Sequence, residues 1–277
     1  MLTTTVDGLW AIQVLTGIEV VAPELGLRPH LPSVESRHLA LAHPVLADLR
    51  SAGVVDDCDA VDGAVHEWLT VLSRRDMALF IQIRPPGTGE PARVLLARFA
   101  HWWVVLERSA DLVRLSGAGL ASSEAQATAV VAAQIDRLCG TNTPAELRPV
   151  TIDVAAMRAA ATSHSALQTF LGKQELDADQ LHTLMLAAEP DGSAQASLVA
   201  IQSGIETGRS TRTHIEQSSV TIIDTAAGRL IVEHVVSSGK KWMIIAPATM
   251  NAIASAINHM MRRLPADSEW HSYRKAV

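Results

Sequence analysis

The chain has 277 residues, 48% of them hydrophobic and 19% charged, which is enough apolar material for a sizeable core. Its formal net charge of −6 disfavours a nucleic-acid partner, because phosphate binding requires a basic surface. Cys58 and Cys139 lie far apart in the sequence, so they predict neither a disulfide framework nor a zinc site.

The N-terminal segment predicts neither a signal peptide nor a membrane anchor. Residues 1–7 lack the basic start and the apolar run of a signal peptide. The longest apolar stretch, residues 9–22, is interrupted by polar residues and is too short to span a bilayer. The sequence therefore predicts a cytoplasmic protein without stable membrane insertion.

The first half of the chain predicts helices, then strands, then one closing helix. Residues 2–7 are predicted as a short strand, with Asp7 as the cap of the following helix. Another helix is predicted over residues 34–52, broken at Pro44, and a third begins after a cap at Asp62. The remaining elements are four strands and the closing helix, at residues 77–83, 94–100, 102–108, 112–116 and 122–138.

The second half repeats this order of elements. Its predicted helices cover residues 152–162, 165–171 and 177–188. Its predicted strands and closing helix cover residues 196–202, 213–224, 228–236, 241–246 and 249–264. Because the order occurs twice, the sequence predicts a pseudo-symmetric α+β body with one shared sheet. The expected division separates residues 1–145 from residues 146–277, within one compact body.

The predicted strands of the second half are apolar on both faces. Val220 and Ile222 point to one face and Ile223 to the other, and Leu230 likewise opposes Ile231. A sheet that is apolar on both sides has to be covered on at least part of both sides. The segment therefore predicts a scaffold that is covered on at least part of both faces.

A search for catalytic and metal-binding motifs predicts no such site. The eleven histidines do not converge, and His66 followed by Glu67 lacks the second His of a HExxH zinc site. The pair Gly117 and Gly119 lacks the third glycine of a dinucleotide loop. Triad residue types lie along one predicted strand, where nothing orients a base: His214, Glu216, Ser218 and Ser219. No catalytic residue, metal ligand or cofactor is expected.

Several conspicuous residues are interpreted as structural. Asp224 and Gly228 can form a hairpin, because Asp accepts backbone N–H groups and Gly adopts a positive φ. Residues 206–214 are predicted as a polar hairpin loop rather than an anion site. The set interpreted as structural is Asp224, Gly228, Arg229, Trp242, Pro265 and Trp270.

Taken together and in order, several segments resemble the EspG family, the cytosolic chaperones of mycobacterial type VII (ESX) secretion. In the second half the matches are residues 220–232, Trp242, residues 247–249, and Leu264 and Pro265 followed by Trp270. In the first half they are residues 5–9, residues 49–56, and Trp68 with Leu69. The resemblance covers almost the full length of the chain.

The resemblance implies a quasi-two-fold α+β fold, in which a mostly antiparallel central sheet is flanked by helical bundles. It also implies that the chain binds PE–PPE heterodimers at the exposed tip of the PPE protein. Such binding keeps these exported proteins soluble and directs them to a cognate ESX system. The family is not enzymatic, so the resemblance implies neither catalytic residues nor a cofactor.

A partner surface is predicted where an apolar helix face adjoins a strand. A chaperone that covers a hydrophobic helical tip requires an apolar, adaptable surface with a polar rim. The helix over residues 177–188 and the strand over residues 197–202 supply such residues. The predicted partner-binding residues are Leu181, Leu184, Met185, Ser197, Val199 and Ile201. The alternative, that they belong to the hydrophobic core, stays open.

Two other kinds of function stay open as well. An enzyme or small-ligand-binding domain without a standard motif would contain a deep pocket with convergent polar groups and a perturbed titratable residue. A plain oligomeric scaffold would self-associate without a client. Weak self-association is also compatible with a chaperone.

Overall fold

A computed structural model describes residues 1–204 and 213–275, and most of the loop predicted over residues 206–214 lies outside these ranges. The described strands form one sheet in which each neighbouring pair is antiparallel. Helices lie on both faces of this sheet. The predicted α+β class with a mostly antiparallel central sheet is therefore confirmed.

The first half follows the predicted order. Its elements are β1 (Leu2–Thr5), α1 (Val6–Thr16), α2 (Arg37–Leu41), α3 (Val45–Ser51), α4 (Gly63–Arg74), β2 (Met77–Arg84), β3 (Ala92–Phe99), β4 (Trp102–Ser109), β5 (Leu112–Leu120) and α5 (Glu124–Cys139). Thr5, rather than Asp7, caps α1, because the Thr5 hydroxyl accepts the Gly8 N–H at 3.1 Å. The predicted cap at Asp62 is confirmed, since its carboxylate accepts the Val65 N–H at 3.1 Å.

The second half contains one strand that the sequence did not predict and one break. Its elements are β6 (Val150–Asp153), α6 (Val154–Ala160), α7 (His164–Leu171), α8 (Ala178–Ala188), β7 (Ala194–Ser203), β8 (Thr213–Ile215), β9 (Val220–Thr225), β10 (Gly228–Ser237), β11 (Lys240–Pro247) and α9 (Met250–Arg262). The short edge strand β6 includes Ile152 and Asp153, which the sequence predicted as the start of the helix over residues 152–162. The strand predicted over residues 213–224 is divided because the Glu216 carboxylate accepts the Ser218 N–H at 3.0 Å and forms a turn.

The order of strands in the sheet is quasi-two-fold. From the centre outward, the first half contributes β2, β3, β4, β5 and β1, and the second contributes β7, β9, β10, β11 and β6. The short strand β8 pairs with β7 outside this path. β2 and β7 meet in the middle as an antiparallel pair in which Phe80 lies opposite Val199. Two similar halves therefore share one sheet, while the division at residues 145 and 146 stays a prediction.

Three helical groups cover the two faces of the sheet. The closing helices α5 and α9 cover one face, where Ile222 and Ile231 pack with Ile257. On the other face, α1–α4 pack over β3, β4 and β5. The same face carries α7 and α8 over β9–β11, where Leu230 packs with Leu184. The prediction that the second-half strands are covered on both faces is confirmed.

Arg229 connects the β9–β10 hairpin to the end of α5. Its guanidinium is 2% exposed and donates to both carboxylate oxygens of Asp224, at 2.6 and 2.8 Å. It also donates to the carbonyl oxygens of Cys139 and Gly140, each at 2.8 Å. The hydrogen bonds to Asp224 raise the pKa of Arg229. Gly228 has φ +113°, and an added Cβ would lie 2.8 Å from the Ala145 backbone, so glycine is required there.

A second buried arginine holds the C-terminal segment against the sheet. Arg98 is fully buried and donates to the carbonyl oxygens of Trp270 and Tyr273, at 3.3 and 2.7 Å. Burial lowers the pKa of Arg98 to about 10. The Trp270 ring packs edge-on against Trp103, with ring centroids 6.5 Å apart. Trp270 therefore returns the tail to the sheet after the exposed Pro265, while Trp242 is half-buried in β11.

The helix α8 directs its apolar residues into the core. Asp177 caps it in a capping box, in which the Asp177 carboxylate accepts the Gln180 N–H at 2.8 Å. Leu184 and Met185 are buried, at 4% and 8% exposure. Leu181, one turn earlier, is half-buried against the same cluster. A substitution at Leu184 therefore reports on folding and is unsuitable as a test of surface binding.

We expect Arg229→Gln to lower the free energy of unfolding by about 3–5 kcal/mol, because it leaves Asp224 and two backbone carbonyl groups without their donor. Urea denaturation followed by circular dichroism measures this loss. Arg263→Gln, at an exposed residue after α9, is the matched control and should unfold like the unsubstituted protein. An unchanged midpoint for Arg229→Gln would contradict this role of the buried guanidinium.

We expect Leu184→Ala to lower the free energy of unfolding by about 2–5 kcal/mol, because it leaves a cavity beneath α8. The same substitution at the half-buried Leu181 should cost clearly less. Thermal and urea denaturation of the two variants make this comparison. Equal losses would show that both leucines are buried to the same degree in solution.

Candidate partner-binding site

The centre of the sheet lies open between two helical groups. We define the central cleft as the strip of β2 and β7 that separates α1–α4 from α6–α8, with Phe80, Gln82, Ser197 and Val199 as its floor. Phe80, Ser197 and Val199 are half-buried and Gln82 is exposed. On the same face, the flanking strands are covered, as the complete burial of Leu95 in β3 shows. The cleft is therefore a partly apolar, accessible surface at the junction of the two halves.

The cleft floor changes from polar to apolar across the sheet. The strand registers place Arg93, Gln82, Ser197, Thr221 and Val232 directly opposite one another on five successive strands. The hydroxyl groups of Ser197 and Thr221 lie 3.2 Å apart, within hydrogen-bonding distance. Val232, the last of the row, is buried under the helices of the second half. A partner in the cleft would therefore meet both polar and apolar groups.

The loop between β2 and β3 closes one end of the cleft. The Gly87 N–H donates to the Pro190 carbonyl oxygen, in the connection between α8 and β7, at 3.3 Å. Arg84 and Arg93, the residues that flank this loop on β2 and β3, are exposed. This end of the cleft therefore carries charges of both signs, because Glu90 in the loop and Asp191 beside Pro190 are exposed as well.

The structure separates the six predicted partner-binding residues into two groups. Ser197 and Val199 lie in the cleft floor and are accessible, and Leu181 is half-buried on α8. The other three, Leu184, Met185 and Ile201, belong to the core. Phe80 and Gln82 were missed, because only the pairing of β2 with β7 brings them beside the predicted residues. No local sequence pattern indicates that pairing.

The residue types of a catalytic triad do not assemble into one. His214 lies in β8, and its Nε2 is 3.8 Å from the Glu216 carboxylate. The Ser218 hydroxyl donates to Glu216 at 2.7 Å, so it faces an acceptor that no third group orients. Ser219 instead lies 3.1 Å from His234 Nδ1. The prediction that these residues share one strand is wrong, because the turn at Glu216 separates them.

His234 is the titratable group nearest the cleft with a shifted pKa. Burial lowers the pKa of His234, and the positive charge of Lys241 lowers it further. Contact with the Ser219 backbone acts in the opposite direction. Within residues 1–204 and 213–275, no group of three His, Cys, Asp or Glu side chains is suited to hold a metal ion. The site therefore offers a surface for binding and a neutral histidine beside it.

Among the helices of the described ranges, none combines the length and the apolar character that a membrane crossing requires.

The comparison with a solved structure concerns the fold. The structure of the type VII secretion system chaperone EspG5 of Mycobacterium tuberculosis in complex with a PE25–PPE41 dimer matches with a TM-score of 0.75 and 24% identity. The match covers 98% of this chain and 99% of the EspG5 chain.

Curated relatives match over the full length of the chain. The ESX-2 secretion-associated protein EspG2 of Mycobacterium tuberculosis is 48% identical over 277 residues, covering 100% of both chains. The ESX-5 protein EspG5 of the same species is 26% identical and covers 99% of this chain and 97% of its own. The ESX-3 protein EspG3 of Mycolicibacterium smegmatis is 26% identical and covers 95% and 87%. The model of the EspG family matches residues 5–259, and the chain therefore belongs to the EspG family.

Proposed function

We propose that this chain is a type VII secretion chaperone that binds a PE–PPE heterodimer, keeps it soluble and directs it to a cognate ESX system. The observation that carries the proposal is the 48% identity to an ESX-2 secretion-associated EspG2 over the whole chain. The fold that this chain shares with the EspG5 chaperone, whose structure was solved in complex with a PE25–PPE41 dimer, supports the same proposal. The higher identity to the ESX-2 relative than to the 26% identical ESX-5 and ESX-3 relatives favours an ESX-2 client.

The proposed chaperone acts by binding and not by catalysis. The described part of the chain presents an amphipathic cleft, and the triad residue types near it contact one another without forming a Ser–His–acid relay. We propose that the protein works in the cytoplasm, where an exported PE–PPE pair would require protection before secretion. Membership of a chaperone family supports this proposal.

The proposed contact surface is the central cleft together with the adjoining face of α8. Ser197, Val199 and Leu181 are the accessible members of the predicted set, and Phe80 and Gln82 extend it across β2. The buried Leu184 and Met185 belong to the core cluster next to this surface, and the buried Ile201 follows Val199 on the same face of β7. A partly apolar floor with a polar and charged rim suits an apolar helical tip with polar flanks.

Co-expression with PE–PPE pairs from different ESX loci tests the proposal. The tagged chain should co-purify with a pair of an ESX-2 locus as a complex with one copy of each protein, and should keep that pair soluble. Size-exclusion chromatography of the chain with and without client separates a chaperone from an oligomeric scaffold. The proposal would be contradicted if the chain retained none of the PE–PPE pairs when one pair from each mycobacterial ESX system is tested.

We expect Ser197→Arg to weaken client binding by about tenfold or more, because it places an unpaired charge in the cleft floor where the client desolvates it. Ser237→Arg, at an exposed residue at the end of β10, is the matched control and should bind like the unsubstituted protein. Isothermal titration with a purified client pair measures both variants. Circular dichroism of each variant checks that the fold is retained.

Equal affinities for Ser197→Arg and Ser237→Arg, both folded, would leave the chaperone function intact and move the contact surface away from the central cleft. Leu181→Arg on α8 and Gln82→Arg on β2 then test the two borders of the cleft separately. If the client binds all of these variants with unchanged affinity, its contact surface lies on another part of the molecule.

A further inference from the structure

A partly open cavity lies between the sheet and the helices of the second half. It has a volume of about 250 Å³ and is bounded by β7 and β9–β11 below and by α6–α8 above. We call it the α8 cavity. Its lining includes Leu184 and Ala187 of α8, and Ser197 and Thr221 of the sheet. The cavity therefore begins at the edge of the central cleft and extends under α8.

The cavity is incompletely filled on the side of α6. Of the other second-half helices, α8 contributes five buried residues and α7 contributes two. The helix α6 contributes none, and its Met157 is half-buried at the cavity wall. A close-packed protein interior leaves few voids larger than a water molecule. A cavity of this size beneath a helix layer is therefore a feature that a ligand can use.

The lining of the α8 cavity is amphipathic, and most of its polar residues lie on the two strands nearest the central cleft. Gln195, Ser197 and Thr221 lie on β7 and β9, at the side that meets the central cleft. Leu230 and Ile245 lie on β10 and β11, deeper under the helices. A molecule that fits both ends has a polar head near the cleft and an apolar body under α7 and α8.

His234 adds a hydrogen-bonding group to the cavity wall. Its Nδ1 lies 3.1 Å from the Ser219 hydroxyl, which leaves Nε2 as the second nitrogen of the ring. When the Ser219 hydroxyl is the donor to Nδ1, the hydrogen of the neutral ring lies on Nε2 and is available to a ligand. The positive charge of Lys241 acts on the same ring. Both features favour a ligand head that accepts hydrogen bonds and carries negative charge.

We propose that the α8 cavity binds a small amphipathic carboxylate, with an apolar body under α8 and a head that accepts a hydrogen bond from His234. An apolar cavity of about 150 Å³ holds one benzene molecule, so this larger cavity suits a ligand of about ten non-hydrogen atoms. Octanoate has this size and this polarity. The proposal is independent of the client, since the cavity is present in the isolated chain.

Titration of the full chain with octanoate, followed by ¹⁵N–¹H NMR and thermal denaturation, tests the proposal. We expect binding with a dissociation constant on the order of 1 mM or tighter, with chemical-shift changes at residues that line the cavity. Octanol, which has the same apolar chain and no charge, should bind about tenfold more weakly, because it loses the charged head. Absence of binding by octanoate at several times this concentration would overturn the proposal.

Two variants locate the site. Ala187→Leu fills the cavity with three additional carbon atoms and should abolish octanoate binding, whereas Ala159→Leu, at an exposed residue of α6, should bind normally. His234→Phe keeps the ring shape and should weaken octanoate about tenfold and octanol clearly less, because a carboxylate is a stronger acceptor than a hydroxyl. His234→Phe also serves if Ala187→Leu fails to fold.

Normal octanoate binding by a folded Ala187→Leu, or an equal loss of octanoate and octanol binding in His234→Phe, would overturn the assignment of the site. A different result concerns the client. If neither probe binds and Ala187→Leu loses PE–PPE capture, the cavity receives a side chain of the client, and the small-ligand proposal is wrong while the chaperone function stands.

Discussion

The antiparallel pairing of β2 with β7 is the contact on which the architecture depends. It places Phe80 opposite Val199 and joins five strands of one half to five of the other. The two helical groups on that face pack over the outer strands and leave the central pair partly open. The central cleft is therefore a consequence of how two similar halves share one sheet, and its floor combines residues from both.

Two buried arginines connect the halves, because each donates hydrogen bonds to backbone carbonyl groups of the other half. Arg229 of the second half binds the carbonyl oxygens at the C-terminus of α5, where the helix dipole favours a cation. Arg98 of the first half binds the carbonyl oxygens of Trp270 and Tyr273, which follow α9. Each half thus secures the closing segment of the other, and both segments cover the face opposite the cleft. Breaking either contact would leave a buried charge or carbonyl groups unpaired, so the exchange fixes the layer that supports the cleft.

The helices of the second half fill the space above their part of the sheet unevenly. The helix α8 buries five residues, whereas α6 buries none. The proposed ligand cavity lies between these helices and the sheet, and it shares Ser197 with the border of the proposed partner surface. A bound carboxylate would fill the space beneath α8 and so stabilise the wall against which a client packs. Occupancy of the cavity and affinity for the client are then linked by the same helix.

The sequence by itself determined most of the elements, their duplicated order and the two apolar faces of strands such as β9 and β10. These follow from local periodicity, caps and turn residues, which act over a few positions. The family followed from the resemblance of quoted segments such as residues 220–232. It identified Ser197 and Val199 as surface candidates but did not distinguish them from Leu184, Met185 and Ile201, because an apolar stripe has the same pattern whether it meets a core or a partner. The pairing of β2 with β7, the inclusion of Phe80 and Gln82 in the cleft, and the contact of His234 with Ser219 were decided only by the tertiary structure. Each of these contacts joins residues that lie in separate segments of the chain. Strand register and the packing of helices over the sheet decide such contacts, and no local sequence pattern encodes them.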